Sequence, residues 1–160
     1  MVSKKDLKEI ALFQDLTDPM LERLVPMTRT ESLDERQIIY EEGTAAKELY
    51  CLKRGKVLLE AELAPGVIIS LSAIKPGYSF GWASFFPAAT HGSYAVCGEP
   101  SDILAISGKE FVALLDADPK MGYLVMQKSA KILENRLEHR TQQFLKVITK
   151  HPEIGALLGL

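Results

Sequence analysis

The spacing of apolar positions changes twice along the chain. In the first segment it is helical. Ser3 can cap a helix that runs through Leu7, Ile10 and Ala11. Asp18-Pro19 predicts a second helix start with proline at the first helical position, and Leu21, Leu24 and Val25 form its apolar face. From Thr28 to Ile106 the pattern becomes short strands and turns. Ile38-Ile39-Tyr40 is a β-favouring run followed by Glu41-Glu42-Gly43. Leu49-Tyr50-Cys51-Leu52 and Val57-Leu58-Leu59 flank Lys53-Arg54-Gly55-Lys56, which predicts a hairpin turn with positive φ at the glycine. Pro65-Gly66 and Lys75-Pro76-Gly77 predict two further turns around the strand Val67–Leu71. Tyr94-Ala95-Val96 and Ile103-Leu104-Ala105-Ile106 close the set as two strands. Many short strands at near-regular spacing indicate an antiparallel sandwich or barrel.

The last third is helical again. Ser107-Gly108-Lys109-Glu110 has the form of a capping box ahead of Phe111, Val112, Leu114 and Leu115. Asp118-Pro119 starts a long helix that continues to about Lys150 and stops before Pro152. About thirty residues of helix span roughly 45 Å, more than a β-domain of this size covers. One stripe of this helix, Tyr123, Met126, Ala130, Leu133, Leu137, Arg140, Phe144 and Val147, alternates spacings of three and four. That is a heptad seam, interrupted by Arg140, and it predicts self-pairing in a homodimer. A second stripe of Met121, Val125 and Ile132 suits packing on the domain's own sheet.

Composition narrows the functional classes. The 160 residues fit one domain, and 47% hydrophobic with 25% charged residues is ordinary for a globular protein. Nineteen basic against twenty-one acidic side chains leave a net charge of −2, so no overall basic field exists to hold a nucleic-acid backbone. Cys51 and Cys97 are too few for a disulfide framework and read as reduced core residues. The N-terminus is charged and no apolar run approaches about 18 residues, so neither a signal peptide nor a membrane span is expected and the expected compartment is the cytoplasm.

The order of elements and glycines is more specific. Glu42-Gly43, Leu49-Tyr50, Gly55, Pro76-Gly77 and Phe80-Gly81 follow one another in sequence, with a long helix after them. This series resembles the cyclic-nucleotide-binding domain of the CRP/FNR superfamily over about residues 8–144. The resemblance implies a mostly β fold with flanking helices: an antiparallel β-roll, a double-stranded jelly roll, followed by a long C-terminal helix. The expected division is N-terminal helices at 1–27, a β-roll sensor core at 28–106, C-terminal helices with the dimerisation helix at 107–150, and a short tail at 151–160.

The resemblance also implies a ligand cassette of Phe80, Gly81, Trp82, Ala83, Ser84, His91, Gly92, Ser93 and Tyr94, with Arg136 of the long helix near the nucleotide base. Cyclic AMP or cyclic GMP is the implied effector. In the family, a glutamate after the Phe-Gly pair binds the ribose hydroxyl, and an arginine before a Ser/Thr-Ala pair binds the phosphate. Here those positions hold Trp82 and Gly92, while Ser93 is retained and Tyr94 replaces the alanine. Each charged hydrogen bond is worth about 1.5–3 kcal/mol, so losing two weakens binding by about 10²–10⁴-fold. His91, neutral at pH 7, substitutes poorly for the arginine. Trp82 can fill an empty pocket or stack on a flat ligand.

The expected function is a non-enzymatic regulatory sensor domain with weak cyclic-nucleotide affinity or an altered ligand. A ligand-free β-roll module that dimerises or binds an unknown protein is the alternative. A cupin-like metal enzyme is disfavoured because His91, His139 and His151 are scattered. The stretch after Val147 is too short for a helix-turn-helix module, so no DNA reading is expected.

Overall fold

The computed structural model describes residues 2–151, 153 and 154. The stop expected at Pro152 and most of the 151–160 tail lie outside them. Two short helices come first, α1 (Lys4–Lys8) and α2 (Asp18–Leu24). Six strands follow: β1 (Thr28–Leu33), β2 (Ile38–Tyr40), β3 (Glu48–Ala64), β4 (Val67–Ile74), β5 (Ser79–Phe80) and β6 (Tyr94–Ser107). The chain ends in α3 (Gly108–Ala117) and α4 (Pro119–Lys150). It divides into two compact units, Met1–Val125 and Met126–Leu160, and α4 contributes to both. No described helix is long and apolar enough to cross a membrane.

The caps follow the side chains. Ser3 accepts from the Asp6 N–H while Asp6 reaches back to the Ser3 N–H, a complete capping box. That helix stops at Lys8, and Ala11–Phe13 forms a separate 3-10 turn rather than continuing it. Thr17, not Asp18, is the N-cap of α2, which moves Pro19 one position into the helix. Ser107 accepts from the Glu110 N–H and the Asp118 carboxylate accepts from the Met121 N–H at 3.0 Å, so both C-terminal helices begin where the sequence predicts.

All strand pairs are antiparallel, in the order β1-β6-β3-β4, with β2 also on β6 and β5 also on β3. The hairpin expected at Lys53–Lys56 does not form. The chain stays in one long strand, and the register against β6 shifts between Leu52 and Val57. Gly55 takes φ +92° there, and a Cβ on it would lie 2.3 Å from Ser101 Oγ and 2.5 Å from the Pro100 carbonyl. Glycine therefore makes a bulge against β6 instead of a chain reversal. The two strands expected at 94–96 and 103–106 are likewise one, β6. Pro100, which has no N–H to donate, falls at the irregular stretch opposite the bulge. Ser101 Oγ accepts from the Lys56 N–H at 3.2 Å and donates to the Glu99 carbonyl at 2.7 Å, closing the gap.

The stretches Leu49–Leu52 of β3 and Ile103–Ile106 of β6 are buried on both faces, which explains their unbroken apolar runs, whereas Val67, Ile68 and Ile69 of β4 are exposed. Tyr50, Leu52, Val57, Ile74, Phe80, Ala95, Ile103 and Ala105 fill the interior of the roll, with Leu33, Ile39, Tyr40 and Leu59 packed against them. The alternate residues Leu49, Cys51, Leu104 and Ile106 point the other way and are fully buried. The helical layer contributes Leu7, Phe13, Leu21, Leu24, Phe111, Met121 and Val125, all fully buried, and Phe13 meets Phe111 edge-on at 5.9 Å.

Candidate ligand cassette

The cassette starts where β5 ends. Phe80 is paired with Tyr50 on β3, and its ring lies over the Tyr50 ring at 5.3 Å. Gly81 then turns the chain with φ +76°. A Cβ there would meet the Glu48 carbonyl at 2.7 Å and the Tyr50 ring at 2.9 Å, so the residue is fixed as glycine by both conformation and space. Trp82-Ala83-Ser84-Phe85 forms one 3-10 turn, closed by the Ser84 N–H donating to the Gly81 carbonyl. The half-buried Trp82 donates from its indole N–H to the Ser79 carbonyl at 3.0 Å, and its ring meets Phe85 edge-on at 5.7 Å. Phe85 in turn touches Phe111 of α3. Ser84 is buried, its Oγ has no hydrogen-bond partner, and its backbone is tight against Gly108, where a Cβ would come within 2.4 Å of the Ser84 carbonyl.

The second half of the cassette returns along residues 43–46. The Ala46 N–H donates to the Ala89 carbonyl at 2.9 Å, the His91 N–H to the Thr44 carbonyl at 2.9 Å, and the Gly43 N–H to the His91 carbonyl at 2.8 Å. This short ribbon turns the His91 side chain inward. The imidazole lies flat on the Tyr40 ring, with centroids 3.6 Å apart and planes within 6°. Tyr40 also contacts Tyr50 at 5.7 Å and Phe80 at 6.2 Å, so His91 joins the interior ring cluster. His91 is only 5% exposed, and burial holds its pKa below the usual histidine value. Burial also raises the Tyr50 phenol, to about 12.

Gly92 is exposed, its φ is not positive, and a Cβ there would meet nothing within 4 Å. Ser93 and Tyr94 are half-buried, and Tyr94 pairs with Glu60 of β3. The fold thus brings Phe80, Gly81, Trp82, Ala83 and Ser84 into one turn and carries His91 back to Phe80 through Tyr40. Arg136 belongs to the second unit and is half-buried on α4. Tyr40 and Tyr50 escape the sequence reading as site residues. Strand alternation places Tyr50 on the same face as Leu52, but nothing local to Tyr40 announces a partner at His91.

A cleft of about 210 Å³ opens elsewhere, lined by Asp6, Glu9, Ile10, Lys53, Pro76 and Gly77. Lys53 Nζ sits 2.8 Å from the Asp6 carboxylate there. Among the described residues, no three His, Cys, Asp or Glu side chains converge as metal ligands.

Comparison with known proteins agrees with this fold. The family described as cyclic nucleotide-binding domain matches residues 30–118. Among curated proteins no match is found. A cyclic nucleotide-binding domain from Methylobacillus flagellatus superposes with a TM-score of 0.80 at 17% identity, covering 93% of this chain and 88% of that one. The sensor domain of the transcriptional regulator DNR from Pseudomonas aeruginosa gives 0.70 at 20% identity, covering 84% and 91%. The catabolite activator protein of Thermus thermophilus gives 0.70 at 23% identity, covering 86% of this chain and 62% of that one. These likenesses establish the antiparallel roll with its long terminal helix. The family match spans more than half of the sequence and includes the whole cassette, and the chain belongs to the cyclic nucleotide-binding domain family.

Proposed function

We propose that this chain is a non-enzymatic regulatory domain of its family in which the interior of the roll is occupied by its own rings, so that cyclic AMP and cyclic GMP bind weakly. The Tyr40–His91 stack is the observation that carries this reading. It sits against Tyr50 and Phe80, among side chains that offer a phosphate no permanent positive charge. A cyclic phosphate carried into this cluster would lose its hydration without a guanidinium to replace it. Trp82 contributes differently from a simple plug: its indole is tied to the Ser79 carbonyl and leans on Phe85. Titration calorimetry of the intact chain with cAMP and cGMP tests the reading. The expected Kd is weaker than about 100 μM, equivalent to about 5.5 kcal/mol. Submicromolar binding overturns it.

The exposed stripe of α4 favours a second, compatible activity. Within the second unit, Met126, Leu133, Leu137, Phe144 and Val147 are all exposed, Leu137 by 68%. Tyr123 is exposed on the same helix. A large-residue stripe at heptad spacing that stays in water is the surface a matching helix covers. We read α4, within the C-terminal helices at 107–150, as the dimerisation helix of a homodimer.

A further inference from the structure

We propose that His91 is an acid-released latch, whose stack on Tyr40 holds the C-terminal end of the cassette closed over the interior of the roll. The proposal goes beyond weak nucleotide binding and does not depend on any ligand.

The geometry carries it in three steps. The ribbon of residues 43–46 with 89–91 is short, with three backbone hydrogen bonds of 2.8–2.9 Å between these segments and one isolated bridge between Ala45 and Thr90. Such a ribbon is marginal in water without side-chain packing to hold it. The side chain that joins it to the core is His91, flat on Tyr40 and almost wholly buried. Behind Tyr40 stand Tyr50 and Phe80, and Phe80 adjoins Gly81, the hinge of the cassette turn. Opening at His91 therefore uncovers the ring cluster and loosens the cassette at the end opposite Gly81.

Protonation is the trigger that this environment supplies. Tyr40 faces the imidazole with Tyr50 behind it; Glu48, Glu31 and Arg29 act on the Tyr50 phenol, and the buried Glu60, paired with Tyr94 at the head of β6, holds Arg36 at 3.2 Å. Glu41 and Glu42, at the start of the facing loop, are exposed to water. Burial is the force on the ring, and it favours the neutral form. The latched state then has a histidine pKa below that of the open state. Closure is at full strength above the ordinary histidine value of about 6.5 and weakens as pH falls through the latched value. The imidazolium gains some cation–π attraction from Tyr40 but gives up its hydration unless it swings out.

Trp82, the single tryptophan, lies in the cassette and reports its movement. The experiment follows tryptophan fluorescence, far-UV circular dichroism and histidine proton resonances of the intact chain from about pH 7.5 to pH 4.5, for the unmodified protein and for His91→Phe. Phenylalanine keeps a ring on Tyr40 and cannot take a proton. The expected result is a reversible fluorescence transition in the unmodified protein, with a midpoint below about 6.5, that coincides with the His91 titration while the dichroism is unchanged. His91→Phe removes the transition. Tyr40→Leu is the second variant and moves the His91 midpoint up toward the free value. The proposal is overturned if His91→Phe retains the transition or if His91 titrates without a fluorescence change. It is equally overturned if no transition precedes unfolding, or if Tyr40→Leu leaves the His91 midpoint where it was.

Discussion

Gly81 and Gly92 bracket the cassette and tolerate a side chain very differently. Gly81 combines φ +76° with a Cβ position 2.7 Å from the Glu48 carbonyl, whereas Gly92 faces open space. Gly81→Ala should cost about 1–3 kcal/mol through strain and overpacking. Gly92→Ala should stay within about 0.5 kcal/mol of the unmodified protein. Urea unfolding of the two variants side by side checks this, and equal midpoints contradict it. Charge at the residue scale is concentrated elsewhere. Hydrogen bonds from Lys53 and Ser3 hold the Asp6 carboxyl down to about 2, against an ordinary 3.8. A carboxyl with a lowered folded pKa adds stability above its unfolded value and loses it as pH falls toward the folded one. The unmodified chain should therefore lose urea resistance between about pH 4 and pH 2 more steeply than Asp6→Asn. Parallel curves for the two proteins would remove this bond from the account.

At the scale of elements, α4 makes the clearest demand on a partner. Leu133 and Leu137 are exposed on the dimerisation stripe proposed above. Leu133→Asp combined with Leu137→Asp should turn a dimer into a folded monomer in sedimentation at micromolar concentration. A monomer already in the unmodified protein removes the dimer proposal. The same scale explains what could be read in advance. The N-caps at Ser3 and Ser107 and the Pro65-Gly66 and Pro76-Gly77 turns rest on interactions within a few residues, and they stand where the sequence puts them. The glycine of Lys53–Lys56 does take positive φ as expected, but positive φ suits a bulge as well as a hairpin turn. The choice is made by Pro100 and Ser101, which lie opposite it in space and far along the chain. The cassette residues 80–84 are legible for the same reason as the turns: they are contiguous. The Tyr40–His91 stack is not legible, because it depends on the ribbon that folds residues 89–91 back onto 43–46.

At the scale of the whole molecule, a family scaffold and an interior lined by aromatic rings coexist. The roll belongs to the cyclic nucleotide-binding domain family, and it carries bulged long strands and a tight glycine turn at Gly81. The interior presents aromatic rings and an imidazole whose pKa burial lowers. Scaffold and site chemistry separate readily, because the roll is held by apolar packing while ligand affinity rests on a few polar groups. A Cβ at the exposed Gly92 meets nothing within 4 Å, so a side chain can start there without a clash. Calorimetric titration of cAMP into the unmodified chain and into Trp82→Glu plus Gly92→Arg tests the central claim most directly. The account predicts a Kd weaker than about 100 μM for the first and a gain of at least about tenfold for the second, about 1.4 kcal/mol. Submicromolar binding by the unmodified chain would contradict it, and no gain in a correctly folded double variant would assign the weak binding to the rings alone.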